Sequence, residues 1–405
     1  MKITRIDTFA VRGLLSPWMF CAVRTDEGIT GYSEFGNGRL ARGMVGIIKD
    51  LEGMLAGKDP RPVEKLYMDM HRATRMSFGG ATQNAIAGIE LALWDVKAKA
   101  LGVPVYELFG GPLRDRQQVY WSHCGTSRAG NHALIGVPPI RTMDDVRRLG
   151  EEVVRRGYRA LKTNIVFPGE PAHTYFAGFG GGAGTTDQNV TPALLRHIET
   201  LIGAFREAVG PDVGIALDLN FNFKPEAAGR ICRALEKFDM MWVEIDMYDP
   251  DALRGLKDST SVPICSGENL VGVRGYRPYF DRRAMDVVMI DVPWNGFAQA
   301  RYVAMLAESH ELNVAPHNYY GHLSTYISLA LCATVPNVRI MEIDVDDVPW
   351  KDDLVDEPPA VEDGHVLLPA RPGWGADLNE DAARQHVWER GRGPGYTPPP
   401  EETSR

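Results

Sequence analysis

Six times between residues 213 and 342 a short apolar run ends in an ionisable side chain, at nearly constant intervals. Val213-Gly214-Ile215-Ala216-Leu217 leads to Asp218, Met240-Met241-Trp242-Val243 to Glu244, and Val262-Pro263-Ile264-Cys265-Ser266-Gly267 to Glu268. Val287-Val288-Met289-Ile290 leads to Asp291, Leu312-Asn313-Val314-Ala315-Pro316 to His317, and Val338-Arg339-Ile340-Met341 to Glu342. The steps are 26, 24, 23, 26 and 25 residues, which suits one strand, one helix and two loops. The segments between them agree. Pro225 to Lys237 opens on a proline and carries Ile231, Ala234, Leu235 and Phe238 on one face, and Gly296 to Glu308 is helical by pattern. Consecutive parallel strands with outer helices close into a (β/α)8 barrel whose strand C-termini share one mouth. An open doubly wound sheet, the alternative, would spread the six ends along an edge.

The flanks read differently. In residues 1–116 strands are expected at Ile3 to Val11, Phe20 to Arg24 and Ile29 to Glu34, followed by long helices, notably Thr82 to Ala100. Strands first and helices afterwards suggest an α+β domain. The barrel is then expected over 117–369, and a C-terminal segment that returns to the first domain over 370–405. Its end, from Gly391, is rich in proline and glycine and reads as an extended or mobile tail. A glycine-rich stretch, Phe176 to Gly184, lacks the GxxxxGK[ST] pattern and reads as an active-site insertion rather than a phosphate loop.

Composition bounds the function. The 53 acidic residues outnumber 44 basic ones without a basic cluster, so no nucleic-acid partner is expected. No run of about 18 apolar residues suggests a membrane span, and the alternating start Met1-Lys2-Ile3-Thr4-Arg5-Ile6-Asp7 has no signal-peptide core. Five scattered cysteines, none in a CxxC pair, fit a reducing cytoplasm better than a disulfide framework.

Asp218, Glu244 and Glu268 would come from consecutive strands. Three buried carboxylates side by side repel and raise one another's pKa. A hard divalent cation relieves that, and all-oxygen ligation suits Mg2+. The plainer alternative is three solvated strand ends or helix caps. Asp291 beside His317 would fix the imidazole tautomer and raise its basicity, as a general base requires. Glu342 is either a proton donor to substrate oxygen or a salt-bridge partner. Tyr158-Arg159-Ala160-Leu161 leads into Lys162-Thr163-Asn164, and alternation puts Lys162 and Asn164 on the mouth side. There the lysine can stabilise developing negative charge, while the asparagine can hydrogen-bond but cannot act as a base. His123, closing a first strand from Gln117 to Ser122, is either structural or a hydroxyl contact. Tyr319, Tyr320 and His322 are read as packing residues or helpers.

These residues, the segment Ala85-Ile86-Ala87-Gly88-Ile89-Glu90-Leu91-Ala92-Leu93-Trp94-Asp95-Val96-Lys97-Ala98-Lys99 with Gly102-Val103-Pro104-Val105-Tyr106-Glu107-Leu108-Phe109-Gly110-Gly111, and the tail motif Pro372-Gly373-Trp374-Gly375-Ala376-Asp377-Leu378 together resemble the mandelate racemase subgroup of the enolase superfamily. The resemblance covers nearly the whole chain. It implies an N-terminal capping domain over a modified TIM-like barrel. It also implies Mg2+ on Asp218, Glu244 and Glu268, a His317–Asp291 dyad, and Glu342 near the substrate carboxylate or enolate oxygen. The substrate carboxylate would bind the metal, and loops around Ser16-Pro17-Trp18 and Arg72 to Gly80 would choose the substrate. Abstraction of the proton alpha to a carboxylate is the shared step, with Lys162 helping to hold the charge. A homo-oligomer is expected because such relatives often assemble.

The chain departs from that pattern in places. The KxK of racemases is Lys162-Thr163-Asn164 here, which removes the second base. KxN is similar to the galactonate dehydratase type, but the extra histidine of that type is replaced by Asn220. Glu-Glu-Pro becomes Glu244-Ile245-Asp246. The expectation is a dehydratase of a sugar acid, aldonate or aldarate, yielding a 2-keto-3-deoxy acid. Asn164, Asn220, His123, Trp18 and Tyr319 are the candidate substrate contacts. A racemase, epimerase or lactone cycloisomerase is the first rival, and a non-catalytic metal-stabilised binding barrel is the second.

Overall fold

The computed structural model describes residues 1–37, 41–77, 79–177 and 188–389. Most of the glycine-rich stretch, the tail from Gly391 and part of the Arg72 to Gly80 loop lie outside them. The chain opens with a three-stranded antiparallel sheet of β1 (Ile3–Val11), β2 (Trp18–Thr25) and β3 (Thr30–Asn37). Three helices follow: α1 (Ala41–Leu55), α2 (Val63–Ala73) and α3 (Gly80–Leu101). α3 is apolar nearly all round and buried on nearly all faces, as a helix wedged between two bodies must be. It lies so close to β3 that a Cβ on Gly31 would stand 2.1 Å from the Ala92 carbonyl oxygen, so only glycine fits there.

Among the described residues eight parallel strands form the second body: β4 (Arg116–Ser122), β5 (Ala160–Thr163), β6 (Gly214–Asp218), β7 (Trp242–Glu244), β8 (Ile264–Ser266), β9 (Val287–Asp291), β10 (Asn313–His317) and β11 (Met341–Asp344). Each pairs with the next as far as β10. β11 returns to pair with β4, and a Val314–Val338 bridge stitches the remaining seam. The ring is the expected barrel, with short strands. Helices alternate with the strands outside it, among them α4 (Met143–Arg155), α5 (Pro192–Val209), α6 (Pro225–Leu235), α7 (Pro250–Lys257), α8 (Gly272–Asp281), α9 (Phe297–Ser309) and α10 (His322–Cys332). Inside the ring Tyr120, Ala216, Trp242, Cys265, Met289 and Ala315 form a compact core, so the barrel is filled and the mouth has a floor.

The chain ends by returning to the first body. Trp374 donates its backbone N–H to Asp95 Oδ1 at 3.0 Å and its indole N–H to the Tyr32 carbonyl at 3.1 Å. Two buried cap glutamates reach the other way. Glu34 accepts the backbone N–H groups of Gly321 (2.7 Å) and Ser324 (2.9 Å) at the start of α10. Glu90 accepts those of Phe297 (2.9 Å) and Ala298 (3.1 Å) at the start of α9. Helix N-termini offer unpaired donors and a favourable dipole for such anions. No helix among the described residues is long and apolar enough to cross a membrane.

Candidate active site

In-register pairing brings the strand ends to one rim. Asp218 stands opposite Glu244 across β6 and β7, and Asp291 opposite His317 across β9 and β10. Glu268 lies two residues beyond β8, after Gly267 at φ +116, a conformation closed to side-chain residues. Glu342 is not a strand end as the spacing suggested. β11 runs on to Asp344, which alternation places on the same face as Glu342.

Three clusters are built on this rim. In the first, the Lys162 ammonium lies 3.0 Å from Glu244 Oε1 and 2.8 Å from Glu342 Oε1, above the Tyr120 ring. Burial opposes the lysine charge, but Glu244 and Glu342 more than offset it and hold the proton well above the ordinary lysine range. Burial likewise pushes Glu342 up, but Lys162, His317 and His123 keep it ionised, well below the usual carboxylate range. Its oxygens also accept the Ser122 hydroxyl and, at 2.9 Å, the Asn318 backbone N–H. Glu342 is thus held as an anion by Lys162, Ser122 and the Asn318 backbone.

In the second cluster, His317 Nδ1 is 2.7 Å from Asp291 Oδ2. Asp291 is fixed in turn by the Tyr320 hydroxyl (2.5 Å) and the Trp294 backbone N–H (2.8 Å). His317 Nε2 meets Glu268 Oε2 at 3.1 Å. Burial opposes the imidazolium, yet Glu268, Glu342 and Asp291 together raise its pKa well above the ordinary value.

The third cluster surrounds Asp218, whose oxygens accept the Asn220 backbone N–H (2.7 Å) and side-chain amide (2.8 Å). Asn220 adopts φ +46 to do this. Asn164 donates to the Asp218 carbonyl and to Asn220 Oδ1, both at 3.3 Å, and accepts from Thr126. Both asparagines therefore hold the Asp218 turn, a role their spacing did not indicate. Among the described residues no three acidic, histidine or cysteine side chains are drawn together as a metal cage. Glu244 is turned to Lys162 and Glu268 to His317. The donor set still fits a hard cation. Burial pushes Glu268 up to about 8 against the pull of His317. Asp246, which the sequence marked only as a departure from Glu-Glu-Pro, is 3% exposed, and among the described residues neither carboxylate oxygen has a hydrogen-bond partner. Burial first, then Glu244 and Asp218, push it up to about 8. A buried acid left unpaired beside others lacks compensating positive charge.

Two other candidates are corrected or sharpened. Trp18 is 2% exposed in the cap core, with the Lys351 ammonium 5.7 Å above its ring, so no face is free for a ligand. An aromatic beside a loop proline signals exposure poorly, because burial is decided by what packs over it. His123 Nδ1 sits 2.8 Å from Asp344 Oδ1. Asp344 escaped the sequence reading, although its step of two from Glu342 was the available signal. The Tyr319 ring lies 5.1 Å from the His317 ring and 5.6 Å from the His123 ring.

Residues 15–110 match the family model described as Mandelate racemase / muconate lactonizing enzyme, N-terminal domain, and residues 145–382 match Enolase C-terminal domain-like. A D-xylonate dehydratase of Haloferax volcanii is 30% identical over 96% of this chain and 89% of its own. A D-galactonate dehydratase of Xanthomonas campestris pv. campestris is 30% identical over 95% and 94%. A Burkholderia xenovorans structure, provisionally named an L-alanine-DL-glutamate epimerase and solved with magnesium and fumarate, shares 42% identity with a TM-score of 0.93, over 96% of this chain and 97% of its own.

Proposed function

Since the chain belongs to the mandelate racemase / muconate lactonizing enzyme family of the enolase superfamily, we propose that it is a Mg2+-dependent dehydratase of a sugar acid, converting an aldonate or aldarate to a 2-keto-3-deoxy acid. The observation that carries this reading is the unequal equipment of the rim. One side holds the His317–Asp291 pair, while β5 runs into Lys162 and Asn164. Lys162 is locked between two carboxylates and keeps its proton, and Asn164 cannot accept one. Racemisation needs a proton handler on each face of C2, whereas elimination needs one base and a leaving hydroxyl.

Asp218, Glu244 and Glu268 would hold the ion, with Asp246 beside them. When bound, Mg2+ supplies Lewis-acid stabilisation of charge on the substrate carboxylate. Were Glu268 to turn to the ion, His317 would keep Asp291 as its fixed partner and its Nε2 would be free to accept a proton. The Asp291 contact keeps the proton of the neutral ring on Nδ1. His317 removes the C2 proton, and the Lys162 ammonium meets the negative charge as it develops. The C3 hydroxyl then leaves as water, and the resulting enol becomes the keto acid.

The Burkholderia likeness favours a second reading, epimerisation through the same proton abstraction. Incubation with Mg2+ and D-xylonate, D-gluconate and D-galactonate separates them. Keto-acid formation supports the dehydratase. Deuterium entering C2 from deuterated water, with inversion and no keto acid, sinks the dehydratase and supports the epimerase.

A further inference from the structure

Dehydration also needs a proton for the departing hydroxyl. Resting on the dehydratase reading, we propose that His123 is the general acid that delivers it, held by Asp344.

The two histidine–aspartate pairs are built alike. His317 Nδ1 meets Asp291 on the neighbouring strand at 2.7 Å, and His123 Nδ1 meets Asp344 on the neighbouring strand at 2.8 Å. Each aspartate fixes its ring through Nδ1 and leaves Nε2 as the working nitrogen. His123 directly follows the first barrel strand at φ +47. That conformation strains a residue with a side chain and is tolerated where the structure enforces it. Its side chain is 13% exposed, and among the described residues Nε2 has no hydrogen-bond partner. The Tyr319 ring touches both imidazoles, 5.6 Å from the His123 ring and 5.1 Å from the His317 ring. The charged groups facing His123 are Asp344 and Glu342 from β11 and Lys162 from β5. Burial opposes its protonation, and Asp344 more than offsets that. Asp344 thus favours the protonated ring, and His123 contacts none of the three carboxylates assigned to the ion.

The step balances. His317 takes the C2 proton, and the electron pair of that bond forms C2=C3. The C3–O bond breaks as the oxygen takes the proton from His123 Nε2 and departs as water. The enol loses its hydroxyl proton and gains one at C3, and solvent exchange resets both rings.

The test uses full-length protein with Mg2+ and D-xylonate, D-gluconate and D-galactonate, together with their 3-deoxy-3-fluoro forms. Fluoride leaves without needing a proton. In His123→Gln, keto-acid formation should fall by about 100-fold or more. Deuterium exchange at C2 and fluoride release should stay within a few-fold of the parent, which also shows that the variant is folded. Asp344→Asn should follow the same pattern more weakly and shift the pH profile of dehydration. Unchanged dehydration in His123→Gln overturns the proposal. So does a parallel loss of dehydration, exchange and fluoride release. A parent protein that exchanges C2 but makes no keto acid from any of the three defeats the dehydratase reading itself, a separate outcome.

Discussion

Buried carboxylates occur in two regions of this molecule, and the protein treats them in opposite ways. At the seam between cap and barrel, burial pushes Glu34 and Glu90 up to about 7, against the pull of two backbone N–H groups each. Trp94 adds an indole N–H to Glu90 at 2.6 Å. Every partner there is rigid, so these acids serve as clamps. At the mouth the acids share partners that can change. Glu268 leans on a histidine, Glu244 on a lysine, and Asp246 on nothing. Burial with fixed donors makes structure, and burial without them leaves a charge deficit that a cation can fill. The difference lies in the compensation, not in the residue type.

His317→Asn should abolish keto-acid formation and C2 exchange alike, a loss of about 1,000-fold or more, with the melting temperature nearly intact. Retained turnover would remove the base assignment. Thorough chelation should abolish activity and lower the melting temperature. Restoring Mg2+ to about one hundred times its dissociation constant should return about 2.7 kcal/mol, and indifference to chelation would erase the distinction between mouth and seam. Glu90→Gln should do the converse: destabilise by about 1–3 kcal/mol, because one of the backbone N–H groups loses its acceptor, while the Mg2+-induced rise in melting temperature is unchanged. A reduced metal response in that variant would couple the two regions.

The smallest effect concerns pH. Glu268 and Asp246, both pushed up to about 8, hold protons in the folded metal-free chain that the unfolded chain releases near pH 4. Metal-free stability should therefore fall as pH rises from about 4 and level off above about 8, with Glu34 and Glu90 adding a fall that ends near 7. If Mg2+ takes the place of the protons at the mouth but not at the seam, the stabilisation it gives should grow as pH rises from about 6 to about 8. Asp246→Asn should flatten the metal-free slope and weaken the Mg2+ response. Melting curves with and without the ion measure both, and parallel pH slopes for parent and variant would show that Asp246 carries no uncompensated charge.

The barrel and most of its rim were legible in the residue order, because strand-to-strand spacing and apolar runs are local properties of the chain. Asp218, Glu244, Asp291 and His317 stand at strand ends where the runs stop, and the capping signature lies on the buried helix Gly80–Leu101. What each side chain touches was decided by the tertiary structure. Register set Asp344 beside His123, packing closed the cap over Trp18, and a left-handed turn made Asn220 a brace for Asp218. Periodicity fixes which face of a strand a residue occupies. Whether a buried charge finds a partner depends on neighbours brought in from other strands, which no local pattern records.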